Sequence, residues 1–154
     1  MQRKTFIRQS AMASAALFFS PNIFAGDNRF PTVRVPLSER KFTSTAVEEV
    51  IALVKNNIGN KEIGWLFENC FSNTLDTTVD FEMIDGKPDT YVITGDIDAM
   101  WLRDSSAQVW PYLPLCKQDA KLKQLIQGVI NRQVKCILLD PYANAFFKDV
   151  NKIS

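Results

Sequence analysis

Asp96, Asp98, Trp101, Arg103 and Asp104 fall within one short run, Gly95-Asp96-Ile97-Asp98-Ala99-Met100-Trp101-Leu102-Arg103-Asp104-Ser105-Ser106. These side-chain types at this density suit the gripping of a polyol. A carboxylate accepts paired hydrogen bonds from vicinal hydroxyls, a guanidinium donates to ring or hydroxyl oxygens, and an indole stacks on the apolar face of a sugar. Each charge-assisted hydrogen bond of this kind contributes ~1.5–3 kcal/mol. The charges alternate with large apolar residues, which places some of them at a pocket wall rather than in open water. Other readings compete. In the plainest, Asp96 or Asp104 caps the next helix and Arg103 pairs with a carboxylate. In a second, Asp96-Ile97-Asp98 holds a divalent cation by oxygen ligands, as in a metal-dependent glycosyltransferase, although no Gly-rich nucleotide loop accompanies it. A calcium loop fails because the remaining ligands and the central glycine are missing.

Several chemistries are closed to this chain. Its 154 residues contain no histidine, which removes Ser-His-Asp and Cys-His catalysis and histidine-based metal sites. The formal net charge is +1 and no basic block occurs, so binding of nucleic acid through phosphate neutralisation has no footing. A composition of 46% hydrophobic, 23% charged and 11% aromatic residues is that of a globular chain with a core. Cys70, Cys116 and Cys136 each lie in an apolar helical context and read as small core residues. Their spacing neither requires nor excludes one disulfide.

The first residues read as an export signal. Arg3, Lys4 and Arg8 form a basic start, residues 11–19 an apolar run, and Ala25 a cleavage point, giving a signal peptide over 1–25 and a mature chain over 26–154. Arg3-Lys4-Thr5-Phe6-Ile7-Arg8 is similar to a twin-arginine signal with Lys4 at the second arginine, so either that route or general secretion is open. The apolar run is too short to cross a bilayer core of ~30 Å, so no permanent membrane anchor is expected. The destination is the periplasm or the exterior.

The elements that position the central run alternate between two periods. Thr45 with Glu48 makes a capping box for a helix carrying Val47, Val50, Ile51, Val54 and Ile58, with Gly59 as its C-terminal cap. Asn60 caps a second helix whose inward residues are Ile63, Leu66, Phe67, Cys70, Phe71 and Leu75, and the pair forms a helical hairpin. Residues 77–84 and 90–94 are strand-like around Asp85-Gly86-Lys87-Pro88-Asp89, a short β-hairpin that hands the chain to a sharp turn at Gly95. Ser105 or Asp104 then caps a short helix limited by Pro111 and Pro114. A longer helix spans 119–139, with Leu122, Leu125, Ile126, Val129, Ile130, Val134, Ile137 and Leu138 inward and Lys121, Lys123, Arg132 and Lys135 outward. Asp140-Pro141 ends it.

Thr94-Gly95-Asp96-Ile97-Asp98-Ala99-Met100-Trp101-Leu102-Arg103-Asp104-Ser105 closely resembles the signature of family 125 glycoside hydrolases, the metal-independent exo-α-1,6-mannosidases of bacteria and fungi. Asp140-Pro141-Tyr142-Ala143-Asn144-Ala145-Phe146 resembles a second signature of the same family, in the same order. The resemblance implies a mainly α fold, part of an (α/α)6 toroid of paired helices with the β-hairpin inserted before the sugar-binding loop. It implies hydrolysis of terminal α-1,6-linked mannose with inversion, a mannose-containing glycan as partner, and no cofactor or metal. Carried over by position, Asp96, Asp98, Trp101, Arg103, Asp104 and Asn144 line the mannose subsite.

Inversion needs two carboxyl groups ~6.5–9.5 Å apart, one acid and one base. In the family both roles belong to glutamates downstream of the matched region, and none of Glu39, Glu48, Glu49, Glu62, Glu68 or Glu82 sits in a comparable motif. No catalytic residue is therefore expected in this chain, which reads as the N-terminal portion of a secreted mannosidase holding part of its sugar site. A partial toroid also leaves helix faces without neighbours and apolar area exposed. The alternative is a non-catalytic carbohydrate-binding module.

Overall fold

In the computed structural model, which describes residues 30–149, Ser44 rather than Thr45 opens the first helix. Ser44 is extended at φ −129° and ψ 122°, and its hydroxyl oxygen accepts from the Val47 N–H. Helix α1 (Thr45–Asn57) follows, burying Ala46, Val47 and Ile51. Glu48 makes no capping box, because Arg34 and Arg40 hold its carboxylate. The helix ends on an extended Ile58, and Gly59 beyond it adopts no positive φ. Asn60 caps helix α2 (Lys61–Asn73) as expected, its side-chain oxygen accepting from the N–H groups of Glu62 and Ile63.

The buried side of α2 differs from the expected one. Gly64 and Ser72 are buried, Phe67 and Phe71 stack at 4.8 Å between ring centroids, and Ile63, Leu66 and Cys70 are exposed. Lys55 of α1 is ion-paired with Glu68 of α2, and the Gly64 position lies against Ile58 and Lys55, which ties the two helices together. A wide turn, Thr74–Thr78, then buries Leu75 and Asp76.

The hairpin is strand β1 (Val79–Ile84) against β2 (Lys87–Val92), antiparallel from Val79↔Val92 to Ile84↔Lys87. Only Asp85 and Gly86 form the turn, at φ 50° and 73°, the positive pair that a two-residue hairpin loop requires. Pro88 and Asp89, expected in that turn, lie within β2. Two very short strands, β3 (Met100–Trp101) and β4 (Ala145–Phe146), pair as Met100↔Phe146 and Trp101↔Ala145.

Helix α3 (Leu102–Val109) begins directly after β3, with Trp101 at its N-cap position and no side-chain cap. Asp104 and Ser105, expected as caps, are inside the first turn, where the Ser105 hydroxyl donates to the Leu102 carbonyl at 3.0 Å. A 3-10 segment, Trp110–Lys117, carries both prolines and buries Tyr112. Helix α4 (Ala120–Leu139) is capped by Asp119, whose carboxylate accepts from the Leu122 N–H. The other carboxylate oxygen accepts from the Ser44 hydroxyl at 2.6 Å, so one contact joins the caps of α1 and α4.

The core forms where α4 lies on β2, with Val47, Ile51, Leu75, Val79, Tyr91, Val92, Met100, Val109, Leu122, Leu125 and Val129 buried together. Each such apolar side chain taken from water contributes about 1.5–3 kcal/mol. The approach is close: the Thr90 hydroxyl donates to the Leu125 carbonyl at 2.9 Å, and a Cβ at Gly128 would sit 2.3 Å from the Thr90 hydroxyl oxygen. Ile130, Val134, Ile137 and Leu138, expected inward, are exposed, whereas Arg132, expected outward, is buried. The cause is Asp89. This carboxylate on β2 is buried and draws the Arg132 guanidinium inward at 2.6 Å.

Cys116 is half-buried, Cys136 buried and Cys70 exposed, all as free thiols. Burial pushes the Cys116 and Cys136 thiols above their ordinary value, which disfavours the thiolate in both. No helix among the described residues is long and apolar enough to cross a membrane. The expected signal peptide over 1–25 lies outside the described residues.

Candidate functional site

Thr94 closes the central run into a loop. Its N–H and its hydroxyl both donate to the Ala99 carbonyl at 3.2 Å, and its hydroxyl oxygen accepts from the Trp101 N–H at 3.0 Å. With its two ends tied, the segment between them bulges into solvent, leaving Asp96, Ile97 and Asp98 exposed. Gly95 stands in open space without a positive φ, so the bend does not depend on its lacking a Cβ.

The pairing of β3 with β4 brings the second motif against the first. Trp101 lies opposite Ala145, and Asn144 is the next residue along that strand edge. Gln133 of α4 fixes the start of α3 from below, its side-chain amide donating to the Leu102 carbonyl and to the hydroxyls of Ser105 and Ser106 at 2.8–3.0 Å. These contacts position Trp101, Arg103 and Asp104, although neither residue run has the periodicity of a strand.

The six expected residues are not equally placed. Asp98 lines a cavity of about 380 Å³, with Phe147, Lys148 and Asp149 completing its lining. Trp101 is half-buried beside β4. Arg103 is 91% exposed and, among the described residues, pairs with the adjacent Asp104 at 3.3 Å. Such a pair contributes little on its own, which leaves Arg103 available to a ligand. Asp96 and Asn144 are exposed, away from that cavity lining. Among the described residues no group of three His, Cys, Asp or Glu is placed to hold a metal ion.

Three participants were not signalled by sequence. The Tyr91 hydroxyl donates to Asp98 Oδ1 at 3.2 Å, with the Phe146 carbonyl at 3.4 Å as a second acceptor. Burial first, and then the charge and hydrogen bond of Asp98, raise the Tyr91 phenol well above its ordinary value. Arg132 lies over the Tyr91 ring at 5.9 Å and donates to the Lys148 carbonyl, while Lys148 is ion-paired with Asp80. Tyr91 and Arg132 sit in runs that read as ordinary strand and helix, and Lys148 lies just beyond the second motif. Only their packing reveals them.

Residues 60–154 match the model of the metal-independent alpha-mannosidases, glycoside hydrolase family 125. The chain belongs to that family. The family 125 chain is 47% identical over 122 residues to the meiotically up-regulated gene 157 protein of Schizosaccharomyces pombe, a match covering 79% of this chain and 24% of that protein. It is also similar to a solved metal-independent alpha mannosidase of Streptococcus pneumoniae, in a non-productive complex with alpha-1,6-mannobiose. That likeness has a TM-score of 0.62 at 43% identity and covers 71% of this chain and 25% of the other. The chain thus spans about a quarter of the length of these relatives. It is a mainly helical piece of a glycoside hydrolase family, with a two-stranded hairpin before the loop.

Proposed function

We propose that this family 125 chain is the N-terminal portion of an exported exo-α-1,6-mannosidase, and that it carries part of the mannose-binding subsite without the catalytic pair. The observation that carries the reading is the antiparallel pairing of the two family motifs through β3 and β4, with Asp98 at the cavity beside them. Asp96, Asp98, Trp101, Arg103, Asp104 and Asn144 are the proposed contacts to a terminal mannose. Carboxylates take vicinal hydroxyls, the exposed Arg103 donates to sugar oxygens, and Trp101 offers a face for stacking. The α-1,6 linkage is supported by the disaccharide bound to the pneumococcal relative.

In the same reading the helices are part of an (α/α)6 toroid, hydrolysis in the whole protein proceeds with inversion, and residues 1–25 direct export to the periplasm or exterior. Three of the six glutamates are held in ion pairs: Glu48 with Arg34, Glu68 with Lys55, and Glu82 with Lys148 at 3.7 Å. The glycosyltransferase reading would need more oxygen ligands next to Asp96 and Asp98, and the described residues offer no such group. A carbohydrate-binding module remains the second reading, favoured by the core that residues 32–149 assemble around α4 and β2. Incubation with α-1,6-mannobiose tests the proposal: the chain binds the disaccharide and leaves it uncleaved, and Asp98→Ala weakens binding about tenfold or more. Release of mannose by the chain would refute it.

A further inference from the structure

Asp98 lies in a solvent-facing loop, next to the point where its backbone ties converge: Thr94 bonds to Ala99 and Trp101, and the Ala99 N–H donates to the Ile97 carbonyl at 2.7 Å, turning the chain at Asp98. Nothing in those ties fixes the direction of its carboxylate. The contact that does so comes from outside the loop. Tyr91 is 2% exposed, and its hydroxyl, at 3.2 Å, reaches one carboxylate oxygen of Asp98. The ring is itself held by the Arg132 guanidinium, and Arg132 is locked by the buried Asp89, which also accepts from Lys135 at 2.6 Å. A rigid chain therefore runs from the α4–β2 core to the one expected sugar contact that lines the cavity.

We infer that Tyr91 is a positioning residue for sugar recognition, donating its hydroxyl to Asp98 Oδ1 so that Oδ2 is presented to the hydroxyls of a bound mannose. The inference rests on the mannose reading above and adds a residue that touches no sugar. A hydroxyl has one proton, and the anionic carboxylate is a stronger acceptor than the Phe146 carbonyl, so Asp98 holds the bond. Immobilising Asp98 before the ligand arrives lowers the ordering cost of binding. It also satisfies one oxygen, which directs the sugar to the other.

The test uses the full chain, ligand-observed NMR with α-1,6-mannobiose, and the variants Tyr91→Phe, Asp98→Asn and their combination. Tyr91→Phe keeps the ring and its packing against Arg132, and its thermal midpoint reports folding independently. The expected result is about tenfold weaker binding in Tyr91→Phe, with less added loss when Asp98→Asn is also present than in the wild-type background. A second readout is independent of sugar: the carbon-13 shift of the Tyr91 ring carbon bearing the hydroxyl, assigned with Tyr91→Phe, which reports the hydrogen bond that the phenol makes. Asp98→Asn replaces the anionic acceptor with a neutral one and should move that resonance. Binding unchanged in Tyr91→Phe, or a Tyr91 resonance unchanged in Asp98→Asn, overturns the positioning role alone. No binding to the wild-type chain overturns the mannose reading and the role with it.

Discussion

Asp89 shows how much one buried carboxylate organises. It is 1% exposed and accepts from both Arg132 and Lys135, so removing its charge leaves a guanidinium buried without its partner. Asp89→Asn is expected to cost about 3 kcal/mol or more, read as a lowered denaturant midpoint at unchanged slope. Arg34 plays the matching part at the other end of the chain, bonded to Asp76 at 2.6 Å and to Glu48 at 2.8 Å. Neither partnership was legible in the sequence. A charged residue on a helical pattern reads as solvated unless its partner is known, and Asp89 lies 43 positions from Arg132. The sequence brings the residues of the central run together as a candidate set but does not show their unequal placement. That Arg103 meets only solvent and Asp104 while Asp98 meets Tyr91 follows from which neighbours the fold supplies, not from residue type.

The hairpin and the Asn60 cap were readable because their chemistry is local. Asp85-Gly86 carries its turn type in its own backbone preference, and Asn60 needs only the next turn of helix. The sequence does not single out Ser44 as the cap, because Thr45 beside it is equally suited by type and the Asp119 contact that favours Ser44 is distant in sequence. Strands β3 and β4 were invisible, since two-residue strands have no periodicity. Periodicity marks the extent of helix α4 but not which side packs, because the helix carries apolar residues on two sides.

Two predictions concern these contacts between elements. Gly128→Ala pushes a Cβ to 2.9 Å from the Thr90 backbone nitrogen, where β2 cannot yield without disturbing the hairpin. A loss of about 1–3 kcal/mol in thermal or denaturant unfolding is expected. The Asp119 carboxyl is the second. Burial would raise it, but the Ser44 hydroxyl and the N–H groups of Leu122, Lys121 and Ala46 outweigh that and hold it below its ordinary 3.8. A carboxyl lowered on folding stabilises fully above its unfolded value and loses that contribution as pH falls through the folded one. The stability difference between wild type and Asp119→Asn should therefore be level above about pH 5 and shrink on acidification below pH 4. A difference that grows on acidification would contradict the capping geometry.

The molecule presents a stripe that its own core does not use. Ile130, Val134, Ile137 and Leu138 are 50% or more exposed, along α4 and opposite its packed side. Trp110, 69% exposed, adds to the apolar surface. Exposed apolar surface arranged as a stripe marks a contact face. In the proposed toroid such a face would lie against a neighbouring helix. Self-association is the expected consequence, measurable by light scattering across a concentration series. Replacing Val134 and Ile137 with lysine should reduce it without lowering the unfolding midpoint, since neither residue is in the core. The sequence showed these residues as apolar and periodic, but a helix buried on two sides by different partners cannot be told from one buried on a single broad side.

Binding of α-1,6-mannobiose to the wild-type chain and to Asp98→Asn, followed by isothermal titration with product analysis of the same sample, puts the sugar-site reading at risk. It should give binding to the wild type, weakened about tenfold or more by the substitution at an unchanged thermal midpoint, with the disaccharide recovered intact. Equal binding by both chains, or free mannose in the wild-type sample, would contradict it.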